Sequence, residues 1–167
     1  MSRSIELHTS LDIPAGLARN ELLRIMSAIH DRKPPYEDAA LHVGLHNLRL
    51  PVPGEITVPI DASVQGRPFQ YACTLKIEAA NGQHLFPKFA GNVNISALGE
   101  GASELWLQGQ YEVPFGGIGA AIDATVLNGA AQRSLSAFLD VLSNAIVNNV
   151  KRDQELEANR RRAQSGA

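Results

Sequence analysis

Ile5, Leu7, Thr9, Leu11 and Ile13 alternate with Glu6, His8, Ser10 and Asp12, a period of two that predicts a first β-strand with one wet face. Pro14 stops it. From Ala15 to about His30 the apolar residues Leu22, Leu23, Ile25, Met26 and Ile29 follow the spacing of an amphipathic helix, which ends before Pro34-Pro35.

From Leu41 the pattern returns to short alternating runs separated by turn signals, a meander of strands. Leu41 to Leu50 ends at Pro51-Val52-Pro53-Gly54. Ile56, Val58, Ile60, Ala62 and Val64 then share one face against Glu55, Thr57, Asp61 and Ser63, up to Gln65-Gly66-Arg67-Pro68. A one-residue slip would reverse the buried face, so the register is well specified. Phe69, Tyr71, Cys73, Leu75 and Ile77 form the next inward set, followed by the hairpin signal Asn81-Gly82. His84 to Ala97 bends near Pro87 and carries Val93 and Ile95 opposite Asn92, Asn94 and Ser96. After Gly99-Glu100-Gly101, Leu105, Leu107, Tyr111 and Val113 alternate with Trp106, Gln108, Gln110 and Glu112.

The strand breaks at Pro114 and Gly116-Gly117, and a long helix follows. Ile118, Ile122, Thr125 and Val126 mark its first half; Leu135, Phe138, Leu139, Leu142, Ile146 and Val150 mark the second at three- and four-residue steps. Asn128-Gly129 is its weak point, a kink or a site of close packing, since glycine costs about 1 kcal/mol against alanine in a helix interior. Lys151 to Ala167 reads as a polar, solvated tail.

A chain of 167 residues buries roughly 70% of its unfolded surface in one core, so residues 1–150 are read as a single domain and 151–167 as its tail. Hydrophobic residues are 44%, charged 19% and aromatics only 5%, so the core must be mainly aliphatic. A net charge of −2 supplies no basic stripe for phosphates, and the reading excludes nucleic acid as a partner. Cys73 is the one cysteine, which rules out an intrachain disulfide and suits a reducing compartment. With no apolar run of signal-peptide or bilayer-spanning length, the expectation is a soluble cytoplasmic protein without membrane insertion.

No catalytic signature stands out. His42 and His46 share a strand face and point to a metal only if His8 or His84 joins them; surface or hydrogen-bonded histidines are the simpler reading, with no metal and no cofactor expected. Cys73 lies among inward apolar residues, where its thiolate is disfavoured. Gly116-Gly117-Ile118-Gly119 lacks the Lys-Ser/Thr of a phosphate loop and serves the reversal from sheet to helix. Asp123 near the helix start suits the helix dipole. Trp106, opposite in face to Leu105 and Leu107, marks a surface patch that would support a homodimer.

The order of strand, helical segment, antiparallel meander and long C-terminal helix resembles the START-like (SRPBCC) superfamily, which includes polyketide cyclases and pollen-allergen-like proteins. Residues His84 to Val93 and Leu105 to Gly119 look like bacterial members of that superfamily of unassigned function. The resemblance implies an α+β helix-grip fold, with a curved antiparallel sheet of about six or seven strands wrapped around the long helix. It also implies a cavity between sheet and helix for a hydrophobic small molecule or lipid, although an all-aliphatic core could fill that space. The expected contact set is Ile56, Val58, Ile60, Tyr71, Leu75, Ile77, Val93, Ile95, Leu105, Leu107, Tyr111, Ile122 and Val126. One alternative is a cyclase or aromatase acting on a polyketide-like substrate, in which Tyr71, Tyr111 or His46 relays protons. The other is a regulatory protein-interaction domain, favoured if the core is solid.

Overall fold

The computed structural model describes residues 2–44, 55–67, 70–77, 88–112 and 124–165. In chain order they form β1 (Ser2–Leu11), α1 (Ala15–His30), β2 (Ala40–Gly44), β3 (Glu55–Arg67), β4 (Gln70–Ile77), β5 (Lys88–Ala97), β6 (Ser103–Glu112) and α2 (Ala124–Ser165). The strands make one antiparallel sheet in the order β1-β6-β5-β4-β3-β2, so the meander keeps sequence neighbours adjacent and β1 is the strand that returns from afar. The turns at 51–54 and 81–82, the break at Gly116-Gly117 and Asp123 lie outside the described residues.

The alternation predicts the two faces of the sheet. Ile5 and Leu11 of β1, Leu75 and Ile77 of β4, Val93 and Ile95 of β5, and Leu105, Leu107 and Tyr111 of β6 are all buried on one face. That face receives both helices: α1 packs on β3, β5 and β6, and α2 packs on β1, β6, β2 and α1. The outer face carries Glu6, His8, Asn92, Asn94, Trp106 and Gln108. There the His8 ring lies between Glu6 Oε1 (3.0 Å) and Glu104 Oε2 (3.6 Å) and stacks on Trp106 with ring centroids 6.5 Å apart.

Register explains a pair of glycines that alternation does not reveal. Gly91 and Gly109 are direct cross-strand partners on the inner face of β5 and β6, and the Phe89 ring lies over both. Here glycine is required by close approach, because side chains on either would meet backbone and ring alike.

Polar groups fasten the elements where the chain changes direction. Ser103 Oγ donates to Ile13 O at 2.9 Å, tying the start of β6 to the residue before Pro14. α1 ends with Lys33 N donating to Ala28 O (2.9 Å) and Arg32 N to Ile29 O (3.2 Å), with Arg32 left-handed at φ 52°, a helix stop usually built on glycine. The Arg32 guanidinium then donates to Asp61 Oδ1 of β3 at 2.8 Å.

α2 differs from its predicted bounds. It runs through Gly129, where an added Cβ would lie 3.3 Å from the Arg133 guanidinium, and continues past Val150 to Ser165. The segment read as a solvated tail is therefore helical, although every side chain in 151–165 is exposed. Its sequence has no glycine or proline before Ser165, it is rich in good helix formers, and Glu157 accepts from Arg161 one turn on. Among the described residues no helix is long and apolar enough to cross a membrane.

Candidate functional site

A cavity of about 400 Å³ lies where α1, α2, the segment after α1 and the β2 side of the sheet meet. Ile25 and Ile29, one turn apart, come from α1. Ser134, Ala137, Phe138, Val141, Leu142 and Ala145 come from α2, a stripe at three- and four-residue steps. Tyr36 and Ala39 come from the connection between α1 and β2, Ala40 from the first position of β2, and Ile60 from β3.

Part of the described lining is short. Four of the twelve described lining residues are alanines and a fifth is Ser134, which leaves room between the larger side chains of Tyr36, Phe138 and Leu142. Hydrogen bonds hold the connection open in this shape: Tyr36 N donates to Lys33 O (2.7 Å), Ala39 N to Tyr36 O (3.2 Å), and Ile60 N to Ala39 O (3.0 Å). The His30 ring N–H donates to Ala62 O at 2.9 Å and holds the end of α1 against β3. Val141 is 68% exposed and marks the lip through which the cavity meets solvent. Among the described residues, the side-chain hydroxyls of Tyr36 and Ser134 are the polar groups of an otherwise apolar lining, a composition suited to small-molecule sites.

The residues selected from the sequence divide into three groups. Ile60 lines the cavity. Leu75, Ile77, Val93, Ile95, Leu105, Leu107 and Tyr111 come together as expected on the inner face, where they are packed core at 0 to 7% exposure. The side chains of Ile56, Val58, Tyr71 and Val126, and Ile122 entirely, lie outside the described residues, as do His46 and His84. Ile25, Ile29, Phe138 and Leu142 line the cavity where the sequence pattern reads only as apolar helix faces, and sequence reasoning missed Tyr36, Ala39, Ala40, Val141, Ser134, Ala137 and Ala145. A run of small residues along one face of a helix is the signal that could have found the last three.

Of the candidate chemical groups, the side chains of His42 and Tyr71, with His46, His84 and Asp123, lie outside the described residues. Among the described residues no three His, Cys, Asp or Glu side chains converge as a metal site. Cys73 is buried at 2% exposure, and burial pushes its thiol up from 9.0 to about 11. The sign follows from linkage: between those values the unfolded chain has lost a proton that the folded chain keeps, so stability falls as pH rises from 9 to 11. Denaturant unfolding at pH 8 and pH 10.5 should show this loss in the wild type. Cys73→Ala should lose measurably less over the same range, and identical losses would discount the thiol.

Glu21 is a buried carboxylate in the apolar stripe of α1, satisfied by Arg24 and by Asn149 of α2. The hydrogen bond to Glu21 raises the Arg24 guanidinium above its ordinary value, against a smaller opposing effect of burial, with weaker help from Asp153 and Tyr36.

No protein-family model and no curated protein matches this sequence. Solved structures do match its fold. The chain is similar to the Zhui aromatase/cyclase from Streptomyces sp. R1128, with a TM-score of 0.54 at 17% identity over 91% of this chain and 95% of that one. A conserved protein from Geobacillus kaustophilus gives 0.55 at 20% identity, covering 89% and 96%. Norcoclaurine synthase from Thalictrum flavum, in complex with dopamine and hydroxybenzaldehyde, gives 0.54 at 10% identity, covering 91% and 88%. The chain has the α+β helix-grip fold of START-like proteins.

Proposed function

We propose that this protein binds a small apolar molecule in the cavity between α1 and α2. The observation that carries the reading is the contrast within one core: the inner face of the sheet is filled by Leu75, Val93, Leu105 and Leu107 at 0% exposure, while the neighbouring volume of about 400 Å³ is left open. The pocket opens to solvent at Val141, and a concave, mostly apolar surface with a few polar groups is the usual form of a small-molecule site. Ile60 is the shared member of the predicted and observed linings. The buried inner-face residues form the rigid wall behind the ligand. Ile56, Val58, Tyr71, Ile122 and Val126 stay in the proposed contact set on the strength of their sequence pattern.

A fold neighbour's complex with dopamine and hydroxybenzaldehyde supports the reading by analogy of fold, which by itself assigns no function. A cyclase-type enzyme needs positioned acids and bases; the described lining supplies the hydroxyls of Tyr36 and Ser134, while Tyr71 and His46 stand outside the described side chains.

Solvent extraction of the purified protein followed by mass spectrometry should release a co-purifying apolar molecule. Melting with an apolar panel should show a ligand at a hundredfold excess over its Kd stabilising by about 2.7 kcal/mol. A protein that releases nothing and melts unchanged with every compound has no such function.

A further inference from the structure

The two helices that wall the cavity are pinned together one turn beyond it. Glu21 is 6% exposed. Its carboxylate accepts from Arg24 Nε at Oε2 and from Arg24 Nη2 at Oε1, both at 2.7 Å, and from Asn149 Nδ2 of α2 at Oε1, also 2.7 Å. Ile25, four residues after Glu21, and Ala145, four before Asn149, both line the cavity. The pin thus stands about 6 Å, roughly one turn, along each helix from the nearest cavity-lining residue. From it the helices run in opposite senses, α1 toward Ile29 and α2 toward Ser134, with the cavity between them and the exposed Val141 at its lip. At its far end α1 is held by the sheet, through His30 to Ala62 and Arg32 to Asp61.

We propose that the seam between α1 and α2 is the route by which the ligand enters and leaves, and that the Glu21–Asn149 hydrogen bond is the fixed end of that seam, limiting how far the helices part. The geometry is that of a hinge. Asn149 is replaceable without orphaning a charge, because Glu21 keeps both bonds from Arg24; removing Glu21 itself would leave Arg24 unpaired and confuse gating with stability. The inference rests on the cavity being the ligand site, but one of its two readouts needs no ligand.

Amide hydrogen exchange should therefore be compared in the wild type and Asn149→Ala. The amides of 22–29 and 134–145 should exchange about tenfold faster in the variant, the scale of losing one hydrogen bond to a charged group, while those of Val93 and Leu105 in the sheet keep their rates. Acceleration spread evenly over helices and sheet, or none at all, overturns the hinge. Stopped-flow binding of N-phenyl-1-naphthylamine supplies the second readout: association and dissociation should both rise about tenfold, with Kd changed less than about threefold, because a hinge alters the barrier more than the bound state. A wild type that binds the probe with rates untouched by Asn149→Ala overturns the portal and leaves the binding reading standing. A wild type that binds neither this probe nor any panel compound removes both. Asn149→Asp, close in shape and bringing a second carboxylate to Glu21, should accelerate the same amides at least as much, and keeps the test available should the alanine variant fold poorly.

Discussion

Alanine in place of Gly109 is expected to cost about 4 kcal/mol or more, enough to unfold much of a protein whose total stability is on the order of 5–15 kcal/mol. The added Cβ would stand 2.5 Å from Ala90 O, 2.7 Å from Gly91 Cα and 2.7 Å from Phe89 Cε2. Two of these three neighbours are backbone in the middle of the sheet and cannot withdraw without breaking the β5–β6 ladder. The third is a ring at 4% exposure, which would have to leave the core. Overpacking alone typically costs about 1–3 kcal/mol, and strand displacement adds to it. Gly91→Ala should behave alike, since its Cβ would meet Gln108 O and Phe89 Cζ. Gly99→Ala is the control, with nothing within 4 Å of its Cβ, and should change stability by less than about 0.5 kcal/mol. Urea denaturation of the three variants decides it. A Gly109→Ala midpoint equal to that of Gly99→Ala would mean that β5 and β6 do not pair in this register.

The second large effect concerns binding. Ala145→Trp should weaken retention of N-phenyl-1-naphthylamine by about a hundredfold or more, some 2.7 kcal/mol, while leaving the protein folded. Ala145 lines the cavity from α2 and is half-buried between the helices, so an indole there projects into space that a ligand would otherwise occupy. Filling an existing void commonly stabilises a protein by about 0.5–2 kcal/mol. The expected signature is thus a loss of affinity with a melting temperature that holds or rises. Fluorescence titration and thermal melting on the same sample separate the cases. Unchanged affinity would place the probe elsewhere, and a large drop in melting temperature would show that Ala145 is tightly packed.

Buried faces were legible in the sequence and the cavity was not, for physical reasons. Val93, Ile95, Leu105 and Leu107 follow a period of two because a sheet with one wet face demands it, and Leu135, Phe138, Leu142 and Ile146 follow the helix period for the same reason. Such patterns report which side is apolar. They do not report how far apart two apolar sides stand. The separation of α1 from α2 depends on Ala137, Ala145 and the short connection at Tyr36 and Ala39, residues that carry little hydrophobic signal. Gly91 and Gly109 were equally opaque, because their pairing exists only once β5 and β6 are in register. Glu21 was visible in principle, as a carboxylate inside the stripe of Ala18, Leu22, Ile25 and Ile29. Its partner Asn149, 128 positions away, could be recognised only in three dimensions.

The return of β1 to β6 gives this fold a particular timetable. Leu7 pairs with Leu107, so the first strand waits for one hundred further residues before its partner exists, roughly 5–20 s at ordinary rates of protein synthesis. During that interval the meander can zip from β3 through β5 by near-neighbour hairpins, and once β6 has joined it presents an open hydrogen-bonding edge that another chain could take until β1 docks. Closing so long a loop is the slow kind of contact in folding. The fate of a newly made molecule is therefore decided by whether its own β1 or a neighbour's strand reaches β6 first.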